Sequence, residues 1–200
     1  MNYLAHLRLS QTNPQSILGN LMGDFLKGVD QKSLSPEIIS GIKNHQAIDK
    51  FTDSHPEVRN LKKMISSERK RFHGIITDIA FDHFLANEWH RFYNVSLNEF
   101  CHNTYYYLAS SQQYIPKNAT RLTNTVASLV KNQWLDNYLT LEGTSKAIDS
   151  VARRLRFDNN LSGGIDEIDR NYSVYRLSFL RFYPELIEFV EKQSIESKVK

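Results

Sequence analysis

The chain predicts an all-α fold, a single compact helical domain of about seven or eight helices. Three observations lead there. Apolar residues recur at i, i+3/i+4 and i+7 along most of the 200 residues. Glycine (8) and proline (5) are scarce, which disfavours turn-rich all-β architectures. Hydrophobic residues make up 40% and charged residues 24% of the chain, a balance that closes one core and excludes a disordered chain. No linker or internal repeat divides the sequence, so 1–192 is read as one domain and the polar 193–200 as a tail that frays.

Asn13-Pro14 opens a helix through Ile17, Leu18, Leu21, Met22 and Phe25. Ser35-Pro36-Glu37 joins a capping side chain, a preset φ and a first-turn acid, ahead of an apolar stripe reaching Phe51. The longest periodic segment runs from about Arg69 to Tyr93 and includes Ile75, Ile76, Ile79, Phe84, Leu85 and Trp89. Ser96 and Glu99 form a capping box before Phe100, Tyr107 and Leu108. Further helices are expected over 119–138, 145–156 and 166–192, with a loop from Asp158 to Gly164.

Composition also removes functions. No apolar run approaches the roughly 18 residues of a membrane helix, and the opening residues lack the pattern of a signal peptide. One cysteine, Cys101, supplies neither a disulfide framework nor a thiolate metal site. These features predict a cytoplasmic protein. A net charge of +3 is too weak to imply nucleic acid. Two basic groups stand out, Lys62, Lys63, Arg69, Lys70 and Arg71, and then Arg153, Arg154 and Arg156. Each reads as a solvated helix face or as a docking surface for an acidic partner.

Polar pairs interrupt the apolar faces of the first 85 residues. Asn2/His6, Asn20/Asp24, His45/Asp49 and Asp78/Asp82 are each four apart, and His83 follows Asp82. Side chains at i and i+4 of a helix share a face, so each pair can aim two ligands at one point in a bundle interior. Carboxylates and imidazoles without thiolate suit Mn²⁺, Mg²⁺ or Fe²⁺, and less exclusively Zn²⁺. Asp78 and Asp82 lie among isoleucines and phenylalanines, where an unpaired carboxylate costs several kcal/mol. Taken singly, Asn2/His6 also reads as a cap with a satisfied histidine, His45/Asp49 as an exposed hydrogen-bonded pair, and Asn20/Asp24 as a polar strip beside Gly19 and Gly23. Nucleotide-binding, serine-hydrolase and zinc-protease motifs are missing from the sequence. Cys101 and the adjacent His102 do not face each other on a helix, which argues against a thiol nucleophile.

The segments NYLAHL (2–7), GNLMGDF (19–25), GIKNHQAID (41–49), FTD (51–53), DIAFDHFL (78–85) and RFYP (181–184) together resemble the acyl carrier protein phosphodiesterase family, along nearly the whole chain. That resemblance implies an all-α, HD-domain-like phosphohydrolase. It also implies a divalent metal, with Mn²⁺ favoured, and removal of 4′-phosphopantetheine from a serine of holo-acyl carrier protein. Carried over by motif, Asp24, His45, Asp49, Asp78, Asp82 and His83 become the metal-ligand candidates. Asp24, His83 and Asn20 become the catalytic ones, His83 as donor to the departing serine oxygen, and His6 also matches. The doublet reads Asp82-His83, reversed from the superfamily's order. An acidic carrier protein as partner makes Lys62, Lys63, Arg69, Lys70, Arg71, Arg153 and Arg154 the docking candidates. Two rivals remain at this level, an HD-like phosphohydrolase of nucleotides or small phosphodiesters and a non-enzymatic helical binding protein.

Overall fold

A computed structural model describes residues 1–196. Among them no β-strand occurs, and ten α-helices are joined by short 3₁₀ turns. The helices are α1 (Tyr3–Arg8), α2 (Pro14–Met22), α3 (Pro36–Ser54), α4 (Pro56–Leu61), α5 (His73–Asn87), α6 (Leu97–Ser110), α7 (Thr120–Lys131), α8 (Leu141–Arg154), α9 (Ile165–Arg170) and α10 (Tyr172–Gln193). The count exceeds eight because α1, α4 and α9 are only 6 residues each, too short to display a helical period.

The capping signals act as the sequence implies. Asn13 Oδ1 accepts from the amides of Gln15 and Ser16, Ser35 Oγ from Ile38 and Ser96 Oγ from Glu99. Two expected helices are broken. The 119–138 segment stops at Lys131 because Gln133 adopts a left-handed φ of 47°, and a 3₁₀ turn, Trp134–Leu139, follows. The 166–192 segment divides at Asn171, between α9 and α10.

α5 is apolar on nearly all sides and forms the centre of the bundle, packed by α1, α4, α8, α9 and α10. Phe81 sits 5.5 Å from Phe179 and 5.1 Å from Phe182, ring centre to ring centre, and all three are fully buried. Each such ring is worth roughly 1.5–3 kcal/mol of burial.

A second contact brings α2 against α3. A Cβ at Gly19 would collide with the Ile38 carbonyl, and one at Gly41 would press on the Ser16 carbonyl. The two glycines therefore let the backbones nearly touch, which fixes α2 and α3 in register.

Half-buried Arg69 and exposed Arg71 are both bonded to the chain itself. Arg69 donates to the carbonyls of Asn160 (2.9 Å) and Ser162 (3.2 Å), and also to Glu167 (3.4 Å). Arg71 donates to the Asp158 carbonyl. Both thus hold the Asp158–Gly164 loop; Arg71, like Lys62, Lys63 and Lys70, is exposed. Arg69→Ala is expected to cost about 2 kcal/mol, because it takes a charged partner from the buried Glu167 carboxylate as well as two bonds to the loop. Thermal unfolding followed by circular dichroism would read that as a fall of about 4–8 °C.

The expectation of a fraying tail fails at its start. Ser40 donates to the Ile195 carbonyl, and the Glu196 carboxylate accepts from Ser16, Asn20 and the Gln11 amide. Residues 197–200 of the expected tail lie outside the described residues.

Candidate active site

The α2–α3 contact assembles the site. His45, on the buried side of α3, donates from Nδ1 to the Asn20 carbonyl at 2.7 Å. That bond turns Nε2 toward two carboxylates, Asp49 at 3.0 Å and Asp24 at 3.6 Å. Asp24 lies in the 3₁₀ turn Gly23–Phe25, just past the end of α2. A Cβ at Gly23 would overlap the His45 ring, so only glycine there admits the imidazole.

His6 reaches the same point from α1. Its Nε2 lies 3.1 Å from Asp49 Oδ1 and 3.2 Å from the Met1 carbonyl. Its ring stacks on His45, with centres 3.9 Å apart. Asp49 thus offers one oxygen to each imidazole. His6, His45 and Asp49 hold ligand atoms all within 4.8 Å of one another. The Met1 amino group sits 2.8 Å from Asp78 and 3.8 Å from Asp49, a positive charge lodged between two acids.

The electrostatics follow from the packing. Burial opposes the His45 imidazolium, but its bonds to Asp24 and Asp49 outweigh that and push its pKa up to about 9. Burial and the neighbouring His45 charge push His6 down to about 4. Burial also works against the Asp24 and Asp49 carboxylates, yet hydrogen bonds from the histidines hold both below the usual range. At neutral pH the metal-free cluster is two carboxylates, one imidazolium and one neutral imidazole.

Of the residues singled out in the sequence, the structure brings together Asp24, His45 and Asp49, with Asp78 adjoining through the Met1 amino group. Asn20 is fully buried and shapes the site from behind. It donates to the Ser16 carbonyl and to Glu196, accepts from Asn44, and gives its own carbonyl to His45. Asp82 and His83 are not brought to the cluster. Asp82 accepts from the amides of Leu4 (2.7 Å) and Ala5 (3.3 Å) and so caps α1 across the core. His83 lies about 100° farther round α5. Its Nδ1 donates to the Tyr138 carbonyl and its Nε2 accepts from Tyr172. Burial lowers its pKa, and the proton of its neutral ring is committed to the Tyr138 carbonyl. His6, a matched residue left out of the ligand candidates, is central. Its pairing with Asn2 concealed this, since Asn2 precedes the helix and donates to Tyr138 instead. Cys101 is buried and its thiol is pushed up to about 12, which removes it as a nucleophile.

The donor set fits a divalent ion. It offers two imidazoles and oxygen ligands without thiolate, and the Nδ1 of His6 is buried with no hydrogen-bond partner among the described residues. No helix among those residues is long and apolar enough to cross a membrane.

Comparison with known proteins extends over nearly the whole chain. Relatives named acyl carrier protein phosphodiesterase are 32% identical in Photorhabdus laumondii, over 194 residues and 96% of each chain. Those of Serratia proteamaculans and Escherichia coli O127:H6 are also 32% identical, covering 94% and 98% of this chain and 96% and 100% of theirs. No solved structure gives a significant match. A family model described as acyl carrier protein phosphodiesterase matches residues 1–186, a span that includes every residue of the cluster. On this coverage the chain belongs to the acyl carrier protein phosphodiesterase family.

Proposed function

We propose that the protein hydrolyses the phosphodiester of holo-acyl carrier protein, releasing 4′-phosphopantetheine and leaving the serine of the apo-protein free. The observation that supports this most is the convergence of His6, His45 and Asp49 within the span matched by the family model. These three residues would hold a divalent ion, Mn²⁺ foremost, with Mg²⁺ and Fe²⁺ also suited to the donors. Such an ion supplies Lewis-acid charge for the phosphoryl group and acidifies water.

The chain's own groups do the rest. The Asn20 carbonyl fixes the His45 tautomer, so that Nε2 faces the cluster. Asp24 is exposed and ionised, which suits it to accept a proton from the attacking water. The attack forms a bond from water oxygen to phosphorus and breaks the bond from phosphorus to the serine oxygen, which takes up the proton that Asp24 received from the water. The serine side arrives as part of a protein, and exposed Lys62, Lys63, Lys70, Arg153 and Arg154 give an acidic carrier a basic surface to approach.

The test is conversion of holo- to apo-carrier protein by the purified enzyme, followed on a gel that separates the two forms. Conversion with Mn²⁺ and none with EDTA is the expected result. No conversion with any divalent metal would overturn the reading.

The His45 pKa adds a pH dependence. Below about 9 its imidazolium must lose a proton before the nitrogen can ligate, so metal and proton compete. Affinity for Mn²⁺ should therefore rise about tenfold per pH unit up to that value. Calorimetric titrations between about pH 6.5 and 8.5 would read it, with one proton released per ion. A flat profile would remove His45 from the ligands.

A further inference from the structure

Beside the cluster lies a cavity of about 210 Å³ that the reading above leaves unused. Residues 2 and 3 form one wall, the Trp134–Leu139 turn the second and α8 the third. Its apolar lining includes Tyr3, whose ring stacks on Trp134 at 6.3 Å, and Val151. Asn137 and Ser150 add amide and hydroxyl groups, and Lys146, Arg153 and Arg154 surround it with positive charge.

The position is informative. Tyr3 lines this cavity, and two residues earlier the Met1 carbonyl touches His6 and the Met1 amino group touches Asp78. Asn2, between them, also lines the cavity and donates to Tyr138 Oη at 2.9 Å, so the chain from Met1 to Tyr3 runs from the cluster to the cavity wall. A phosphoryl group at the cluster would thus have this cavity as its neighbour.

We propose that the cavity is the subsite for the pantetheine arm, with Tyr3, Trp134 and Val151 as specificity-determining residues and Arg154 at the phosphate end. This rests on the phosphodiesterase reading. The arm's chemistry matches the lining in order. Next to its phosphate stands a branched, fully apolar carbon bearing two methyl groups, suited to the Tyr3–Trp134–Val151 surface. A hydroxyl and two amides follow, which Asn137 and Ser150 can pair. The volume is below that of most small-molecule sites, so it accommodates the phosphate-proximal half and leaves the thiol end outside.

The experiment measures steady-state kinetics on holo-acyl carrier protein and equilibrium binding of free pantetheine 4′-phosphate. The enzymes are wild type, Val151→Trp, which fills the cavity, and Trp134→Ala, which widens it. Mn²⁺ binding and thermal melting check that each variant is folded with its cluster intact. Val151→Trp is expected to lower kcat/KM at least tenfold, mainly through KM, and to weaken pantetheine 4′-phosphate by a similar factor with Mn²⁺ affinity unchanged. Trp134→Ala is expected to weaken binding in the same direction. If folded Val151→Trp processes holo-carrier like wild type, or if inorganic phosphate binds wild type as tightly as pantetheine 4′-phosphate, the subsite is refuted. If wild type fails to cleave holo-carrier at all, the phosphodiesterase reading falls, and the binding arm still decides the cavity.

Discussion

Asp49→Ala is expected to reduce turnover of holo-acyl carrier protein by about a thousandfold or more, equivalent to about 4 kcal/mol of transition-state stabilisation. Among the described residues, Asp49 is the one side chain that meets both imidazoles, His6 at 3.1 Å and His45 at 3.0 Å. Removing it takes away a ligand and the acceptor that orients two others. The fold should survive, because the Asp49 side chain is 40% exposed and exposed ion pairs contribute little to stability. Far-ultraviolet circular dichroism should be unchanged and Mn²⁺ binding lost. A variant that keeps most of its turnover would remove the cluster from catalysis. Asp49→Asn keeps the shape and loses the charge, so it should be nearly as impaired.

The second large effect is on stability. Asp82→Ala is expected to cost about 3 kcal/mol, because it strands the buried Leu4 and Ala5 amides at the start of α1. In a chain of this size that is a fall in Tm of about 6–12 °C. Asp82→Asn should cost less, since the amide oxygen still accepts one of the two bonds. The pH dependence has a definite sign. Burial pushes the Asp82 pKa up to about 7, against about 3.9 when unfolded. The folded state therefore holds the proton more tightly. The stabilisation is complete below the unfolded value and is lost as pH rises to about 7. The asparagine variant does not titrate, so its deficit against wild type should narrow between about pH 5 and pH 8. Melting curves at the two pH values measure this. A constant deficit would mean that Asp82 is ionised throughout.

Much of this was legible in the sequence where the cause is local. Ser35, Asn13 and Ser96 cap because their side chains meet amides two or three residues on. His45 and Asp49 converge because i and i+4 share a helix face. Asp24 was legible by motif more than by geometry, since the 3₁₀ turn at Gly23 re-aims it. The misplaced residues depend on distant partners. Asp82 stands on the correct helix, but the first turn of α1, 77 and 78 residues away in sequence, claims both its oxygens. His83 is turned away by the same helical geometry that aims Asp78 at the Met1 amino group. Glu196 meets Asn20 only after α10 has crossed the molecule, so no local pattern announces it. The left-handed Gln133 carries no glycine or proline to mark the break, yet that break sets the turn that walls the cavity.

The most direct test of the site is Mn²⁺ binding followed by electron paramagnetic resonance across five variants measured together. His6→Ala, His45→Ala and Asp49→Ala should lose the bound-ion signal, while Asp82→Asn and His83→Gln retain it with affinity within about threefold of wild type, since second-sphere losses reach 10- to 100-fold only when a ligand's own partner is removed. Binding that survives in His6→Ala and disappears in Asp82→Asn would contradict the account, and would move the ion from the α1–α3 cluster to the interior of α5.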